Sequence, residues 1–172
     1  VSLANTGLNT GDAVGDVYTG IENLTGSGLN DTLYGDGSAN AIDGGAGNDT
    51  LVGGAGADTL TGGSGTDTAD YSGSAGPITA YLTGTAGVGG DAAGDVLSAI
   101  ENLIGTAQSD TLVGDGNANA LTGGDGDDTL VGGAGADTLT GGNGTDTASY
   151  ANALAGVMAS LANAGVNTGD AS

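Results

Sequence analysis

A nine-residue period runs through most of this sequence and constrains its fold more than any other feature. From Gly26 the chain reads GSGLNDTLY, GDGSANAID, GGAGNDTLV, GGAGADTLT and GGSGTDTAD. From Gly105 it reads GTAQSDTLV, GDGNANALT, GGDGDDTLV, GGAGADTLT and GGNGTDTAS. The third and fourth segments of each block fit G-G-x-G-x-D-x-U-x, where U is a large apolar residue; the fifth has Ala at U, and the first two are degenerate. Ten segments in phase indicate a repeat architecture.

A longer repeat unit contains the nine-residue one. The string I-E-N-L occurs at 21–24 and again at 100–103, which sets the length of this unit, and the chain amounts to about 2.2 copies of it. Residues 1–13 match residues 159–171 at 10 of 13 positions, so both ends lie at nearly the same phase of the unit. Because domains rarely begin and end within a repeat, we expect a window from a long tandem array within a larger protein.

The charge of the chain excludes several classes of function. It has 21 acidic residues, no Lys, Arg, His or Cys, and a formal charge of −21. Nucleic-acid binding and attraction to anionic lipid need cationic side chains, so both are excluded, and no apolar run is long enough for a membrane span. Thiol chemistry, zinc–thiolate sites and most general-base or covalent catalysis lack their usual residues, so we expect no enzyme activity. A hard cation with oxygen ligands, calcium first, is the partner that the charge favours.

The nonapeptide itself suits such a partner. Its first six residues form a glycine-rich turn in which backbone carbonyls can crowd toward one point, and its last three form a short strand with one side chain facing inward. Carbonyl and Asp oxygens are the ligands that calcium takes. The side chains predicted to line the interior are Leu33, Ile42, Leu51, Leu60, Leu112, Leu121, Leu130 and Leu139.

These motifs resemble the RTX family, the repeats-in-toxin or hemolysin-type calcium-binding repeat. The resemblance is close over 26–70 and 105–149, and looser for G-D-A-x-G-D-V at 11–17 and 90–96. It implies an all-β fold, a right-handed parallel β-roll or β-solenoid in which two nonapeptides make one coil and calcium is held in the turns.

In such a roll each motif stacks on the next motif but one, and an ion can lie between the two turns. Five motifs in each block make three pairs, hence about six calcium ions in all. The expected pairs are Asp31 with Asp49, Asn40 with Asp58, Asp49 with Asp67, Asp110 with Asp128, Asn119 with Asp137, and Asp128 with Asp146. The turn glycines assigned with them are Gly44, Gly45, Gly47, Gly53, Gly54, Gly56, Gly62, Gly63, Gly65, Gly123, Gly124, Gly126, Gly132, Gly133, Gly135, Gly141, Gly142 and Gly144.

Acidic residues outside this set stay open between a ligand role and an exposed position. Asp36 and Asp115 lie close to the Asn residues and could compensate for the missing carboxylate. The remaining open positions are Glu22, Glu101, Asp12, Asp16, Asp91 and Asp95. Tyr71 and Tyr150 follow the fifth motif of each block and are expected to cover its end.

The predicted organisation is a partial unit with the I-E-N-L strand (1–25), a first block (26–71), a connection (72–104), a second block (105–150) and the start of a further connection (151–172). Apolar positions in the connections would continue or cap the roll. They lie at 78–82, 96–104, 17–24 and 157–161. Segment 151–163 is the only helix candidate and reads as strand and loop. Whether the roll is continuous through 72–104 is open.

Two classes of function remain at this stage. The first is a calcium-dependent structural module of a secreted or cell-surface protein, such as an adhesin, surface-layer or filament component, that folds on calcium binding outside the cell. Such a module could also associate end to end with its own copies. The second is an accessory domain of an enzyme, a protease, lipase or epimerase exported by type I secretion. A minor alternative is an ice-binding solenoid.

Overall fold

The computed structural model describes residues 1–161, and the repeated short segments of the sequence form its strands. Most strands have three residues, the length of the x-U-x segment, and four extend to six by including the first glycines of the next turn. In chain order they are β1 Asn23–Thr25, β2 Thr32–Tyr34, β3 Ala41–Ala46, β4 Thr50–Val52, β5 Thr59–Ser64, β6 Thr68–Asp70, β7 Thr79–Tyr81, β8 Val96–Ser98, β9 Asn102–Ile104, β10 Thr111–Val113, β11 Ala120–Asp125, β12 Thr129–Val131, β13 Thr138–Asn143 and β14 Thr147–Ala148.

The described strands pair in parallel and form a solenoid of about seven turns, which confirms the predicted fold class. One wall is a single six-stranded sheet in the order β2-β4-β6-β9-β11-β13. The other wall has two four-stranded sheets, β1-β3-β5-β8 and β7-β10-β12-β14. Neighbouring strands within a block are offset by two nonapeptides, as in the pairing of Leu33 with Leu51 and of Leu112 with Leu130.

The apolar core is a column between the two walls. The inward side chain of nearly every strand is buried there, and the predicted interior residues Leu33, Ile42, Leu51, Leu60, Leu112, Leu121 and Leu130 are at most 2% exposed. Leu139 is only partly buried because β13 is the last strand of its sheet. Leu24, Ala69, Leu97 and Leu103 continue the column, so the connections contribute to it as expected.

The connection between the blocks keeps the roll continuous along one wall. Strand β9 pairs with β6 of the first block and with β11 of the second, and Leu103 lies between Ala69 and Leu121 in the register. The other wall is less regular there, because β7 pairs with β10 while the later β8 pairs back onto β5. The chain therefore reaches β7 first and then returns to complete the coil of the first block.

Segments outside the strands are short and differ in part from expectation. Single-turn 3-10 helices cover Thr6–Leu8, Gly11–Ala13 and Gly90–Ala92. In the partial unit 1–25 only Asn23–Thr25 is a strand, and Val17 is 76% exposed. Residues 157–161 form no strand, and Leu161 is fully exposed, so this stretch does not extend the core. Within 151–161 there is neither a helix nor a strand, so only the loop part of the prediction for 151–163 holds there, and residues 162–163 are outside the described residues.

Candidate calcium sites in the stacked turns

The acidic position of each motif is tied to the motif one coil away. The backbone N–H of Asp31 donates to Oδ1 of Asp49, and that of Asp49 donates to Oδ1 of Asp67, both at 2.8 Å. The same bond occurs in all six predicted pairs, at distances of 2.8 to 3.1 Å. The structure thus brings together every pair that the stacking of alternate motifs predicts. Their role as metal ligands stays a prediction.

The three glycines of a complete motif are required for different structural reasons, as the turn Gly44–Asp49 illustrates. Gly45 and Gly47 have φ values of 97° and 126°, a region that residues with a side chain rarely adopt. Gly44 has an ordinary φ, but a Cβ there would lie 2.6 Å from the carbonyl oxygen of Gly62 and also against Oδ2 of Asp49. The missing side chain therefore leaves room where a carboxylate of one turn and a carbonyl of the next coil converge.

In four motifs with a full G-G-x-G-x-D turn, the second carboxylate oxygen is buried without a partner. Oδ2 of Asp49, Asp58, Asp67 and Asp128 accepts no hydrogen bond, and these residues are at most 1% exposed. An ionised carboxylate in this position costs several kcal/mol unless a cation compensates it. The chain has no Lys, Arg or His to do so. The compensating cation must come from solution.

In the degenerate motifs, the corresponding side-chain oxygen accepts a hydrogen bond. In the first motif of each block, the second turn residue donates its N–H to Oδ2 of Asp31 or Asp110. In the second motif, the equivalent N–H donates to the side-chain oxygen of Asn40 or Asn119 at 2.8 Å. These turns are therefore closed by the protein's own hydrogen bonds, and their acidic position is less available to an ion than Asp49 is.

The residues expected to compensate for the two asparagines face their own turns. Oδ1 of Asp36 accepts the N–H of Ser38, and Oδ1 of Asp115 accepts the N–H of Asn117, both at 2.8 Å. Such short-range bonds to the residue two positions on are typical of Asx turns. Their compensation for the missing carboxylates at Asn40 and Asn119 stays a prediction.

Burial also raises the pKa of several carboxylates in the stacked turns. It raises the pKa of Asp58, Asp67 and Asp128, with repulsion from neighbouring acids adding to the effect and a backbone hydrogen bond opposing it. A raised pKa means that the ionised form is disfavoured in this environment when no cation is present. A divalent cation beside each carboxylate would reverse that preference.

Among the acidic positions left open by the sequence, Asp95 and Glu101 enter the stack. Oδ1 of Asp95 accepts the N–H of Asp58 at 2.7 Å, and Oε2 of Glu101 accepts the N–H of Asp67 at 2.8 Å. Each occupies the place that the next motif aspartate would take. A signal for this was present, because Asp95-Val-Leu and Glu101-Asn-Leu have the acid-to-core spacing of the motif D-T-L. The others do not enter the stack: Glu22, Asp12 and Asp16 are exposed and Asp91 is half-buried.

Asp95 differs from the motif aspartates because a tyrosine takes its second oxygen. Tyr71 is buried and its hydroxyl donates to Oδ2 of Asp95 at 3.0 Å. Burial, together with repulsion from Asp58, raises the pKa of Asp95 to about 6. Tyr71 covers the end of the first block as expected and in addition closes the acidic position there, whereas Tyr150 is half-buried.

Calcium fits this donor set. Within residues 1–161, no three acidic side chains converge as a cluster that could hold a metal by themselves. The carboxylates instead occur one to a turn, beside backbone carbonyls such as that of Gly62. Six to eight oxygen ligands of mixed carboxylate and carbonyl type are what calcium prefers. Asp49, Asp58, Asp67 and Asp128 are the residues that would hold it, and the ion would neutralise their buried charge.

Comparison with known proteins agrees with this chemistry. The family model of the RTX calcium-binding nonapeptide repeat matches in four copies, over residues 17–51, 44–73, 97–130 and 113–148. Together these copies cover more than half of the chain. No curated protein matches the sequence. Among residues 1–161, no helix has the length and apolar character needed to cross a bilayer.

Proposed function

The chain belongs to the RTX family of calcium-binding nonapeptide repeats, and from this premise we propose that it is a structural module of a secreted or cell-surface protein in which calcium binding and folding are a single event. Repeats of this family bind calcium, and in this chain they form a β-solenoid. The proposal adds where the protein works and what calcium does to it.

The observation that carries the proposal is the stack of buried, unpartnered carboxylate oxygens at Asp49, Asp58, Asp67 and Asp128. An ion-free chain would have to bury these charges without compensation while carrying a net charge of −21. Its apolar column is narrow, with one inward side chain per strand, and backbone ordering costs about 1–2 kcal/mol per residue. The ions therefore supply a necessary part of the folding free energy.

The extracellular part of the proposal is supported by the calcium concentrations that such modules need. Extracellular calcium modules bind at about 10⁻⁴–10⁻³ M, far above the cytosolic level. A chain of this kind stays unfolded inside the cell, in a form suited to export, and folds once it reaches millimolar calcium. The result is a calcium-stiffened rod in which each coil contacts only its neighbours, a geometry that suits an adhesin, surface-layer or filament component.

The test is circular dichroism of the full chain during a calcium titration. In a chelator the spectrum should be that of a disordered chain, and calcium should convert it to β-structure in one transition. Magnesium is the control and should substitute poorly, because it demands octahedral geometry and releases its water reluctantly. A β-rich spectrum that does not change with chelator would contradict the proposal.

Self-association is a separate part of the proposal. Sheet ends can pair with a second copy through free strand edges. The six-stranded sheet is partly covered at its β2 end. There the N–H of Tyr34 donates to the carbonyl of Val1 at 2.8 Å, and the N–H of Leu3 donates to the carbonyl of Tyr34 at 2.9 Å. Electron microscopy in millimolar calcium should reveal end-to-end filaments. Uniform isolated particles would favour the accessory domain of an enzyme over the filament component.

A further inference from the structure

The junction between the two blocks reproduces a calcium turn without the nonapeptide motif. Strand β8 ends at Ser98 and β9 begins at Asn102, so only residues 99–101 connect them. This short link lies one coil beyond the turn that contains Gly62 and Asp67. In a complete block, a six-residue G-G-x-G-x-D turn would occupy that place.

The link supplies a carbonyl oxygen where a motif glycine supplies one elsewhere. Within the blocks, the carbonyl of Gly62 points at Gly44, and that of Gly141 points at Gly123. At the junction, the carbonyl of Ala99 points at Gly62 in the same way. Ala99 has a φ of 49° and is the only residue other than glycine with a positive φ in the described part of the chain. This costly backbone conformation accompanies the inward carbonyl.

The link also supplies a carboxylate in the place of the motif aspartate. Oε2 of Glu101 accepts the N–H of Asp67 at 2.8 Å, as Oδ1 of Asp67 accepts the N–H of Asp49 at 2.8 Å. The backbone is matched too, because the N–H groups of Glu101 and Asn102 donate to the carbonyl of Asp67. The extra methylene of glutamate allows its carboxylate to reach the position from a shorter turn.

An independent observation points to an ion at this place. Asp67 is fully buried, and its Oδ2 has no hydrogen-bond partner. That oxygen and the carbonyl of Ala99 converge on the space beside Gly62, where a Cβ would lie 2.7 Å from the former and closer still to the latter. On the opposite wall, the corresponding acid, Asp95, has its second oxygen taken by Tyr71. Oδ2 of Asp58 is as free of partners as that of Asp67, but the acid above it is closed by Tyr71, whereas no tyrosine within residues 1–161 closes Glu101 in this way.

We propose that a calcium ion binds at this junction, between Asp67 and Glu101, with the Ala99 carbonyl as a further ligand. The inference rests on the proposed calcium function and extends it to a segment outside the nonapeptides. The ion would lie beside β9, the strand that joins the two blocks in one sheet. It would thereby continue the row of ions from the first block into the second.

The test compares Glu101→Gln with Glu22→Gln in the full chain. Gln keeps an oxygen for the N–H of Asp67 but loses the charge. Glu22 is the matched control, because it belongs to the other I-E-N-L string yet is exposed beside β1, the outermost strand of its sheet. Calcium bound per chain is measured after equilibrium dialysis, together with the calcium midpoint of the β-signal.

Glu101→Gln should bind one calcium ion fewer than wild type and have a higher calcium midpoint, while its spectrum at saturating calcium matches wild type. Glu22→Gln should match wild type in both measurements. Equal stoichiometry in Glu101→Gln and wild type would overturn the junction site alone, as would loss of β-structure in Glu101→Gln at saturating calcium. A wild-type chain that binds no calcium would overturn the proposed function itself.

Discussion

Replacing Gly44 with alanine is a sharp test of the converging oxygens in the turns. The new Cβ would lie 2.6 Å from the carbonyl oxygen of Gly62 and against Oδ2 of Asp49, and neither the backbone of the adjacent coil nor the buried acid can move freely. Overpacking costs about 1–3 kcal/mol, and a clash with backbone belongs at the upper end. For a chain of this length, about 3 kcal/mol lowers the melting temperature by roughly 6–12 °C.

Gly37→Ala is the matched control, since Gly37 occupies a turn of the same block but has open space where a Cβ would be added. Its φ lies outside the left-handed region. Alanine should therefore stabilise the folded chain by about 0.4–1 kcal/mol, because it reduces the conformational entropy of the unfolded chain. That corresponds to a rise of roughly 1–4 °C. The assay is thermal unfolding by circular dichroism at one fixed, saturating calcium concentration. Melting temperatures for the two variants within about 2 °C of each other would refute the packing argument.

Two further predictions concern single side chains of the stack. Asp49→Ala should raise the calcium midpoint of folding more than Asp31→Ala, because Oδ2 of Asp31 is satisfied within its own turn and that of Asp49 is not; equal shifts in a calcium titration would contradict this. Tyr71→Phe should destabilise the calcium-saturated chain by about 1–3 kcal/mol in thermal unfolding, since it leaves Oδ2 of Asp95 buried without its donor.

The strands and the core within the blocks could be predicted from the sequence because every contact there repeats at one spacing. A side chain at U faces inward, and the partner strand is always two nonapeptides away, as for Ile42 and Leu60. A local pattern then determines a nonlocal contact, since the chain returns to the same wall after every second nonapeptide. The expected acidic pairs, such as Asp49 with Asp67, follow from the same arithmetic.

Three features depended on tertiary structure. The degenerate motifs keep Asp31 in register, yet its second oxygen closes its own turn, an outcome decided by which backbone N–H lies within reach. Strand β8 pairs back onto β5 although β7 comes before it in the chain, because its partner is selected by packing rather than by sequence order.

The third feature, the junction, depends most on the fold. The sequence alone determined that Glu101 stands two residues before an apolar side chain, at the spacing of a motif aspartate. Only the tertiary structure decided that this spacing matters at residue 101, where Asp67 lies one coil below with an N–H to donate. At Glu22 the same four letters place the glutamate beside an outermost strand. Identical local sequence thus has different chemistry in the two places, because a stacked turn is completed by its neighbour and not by itself.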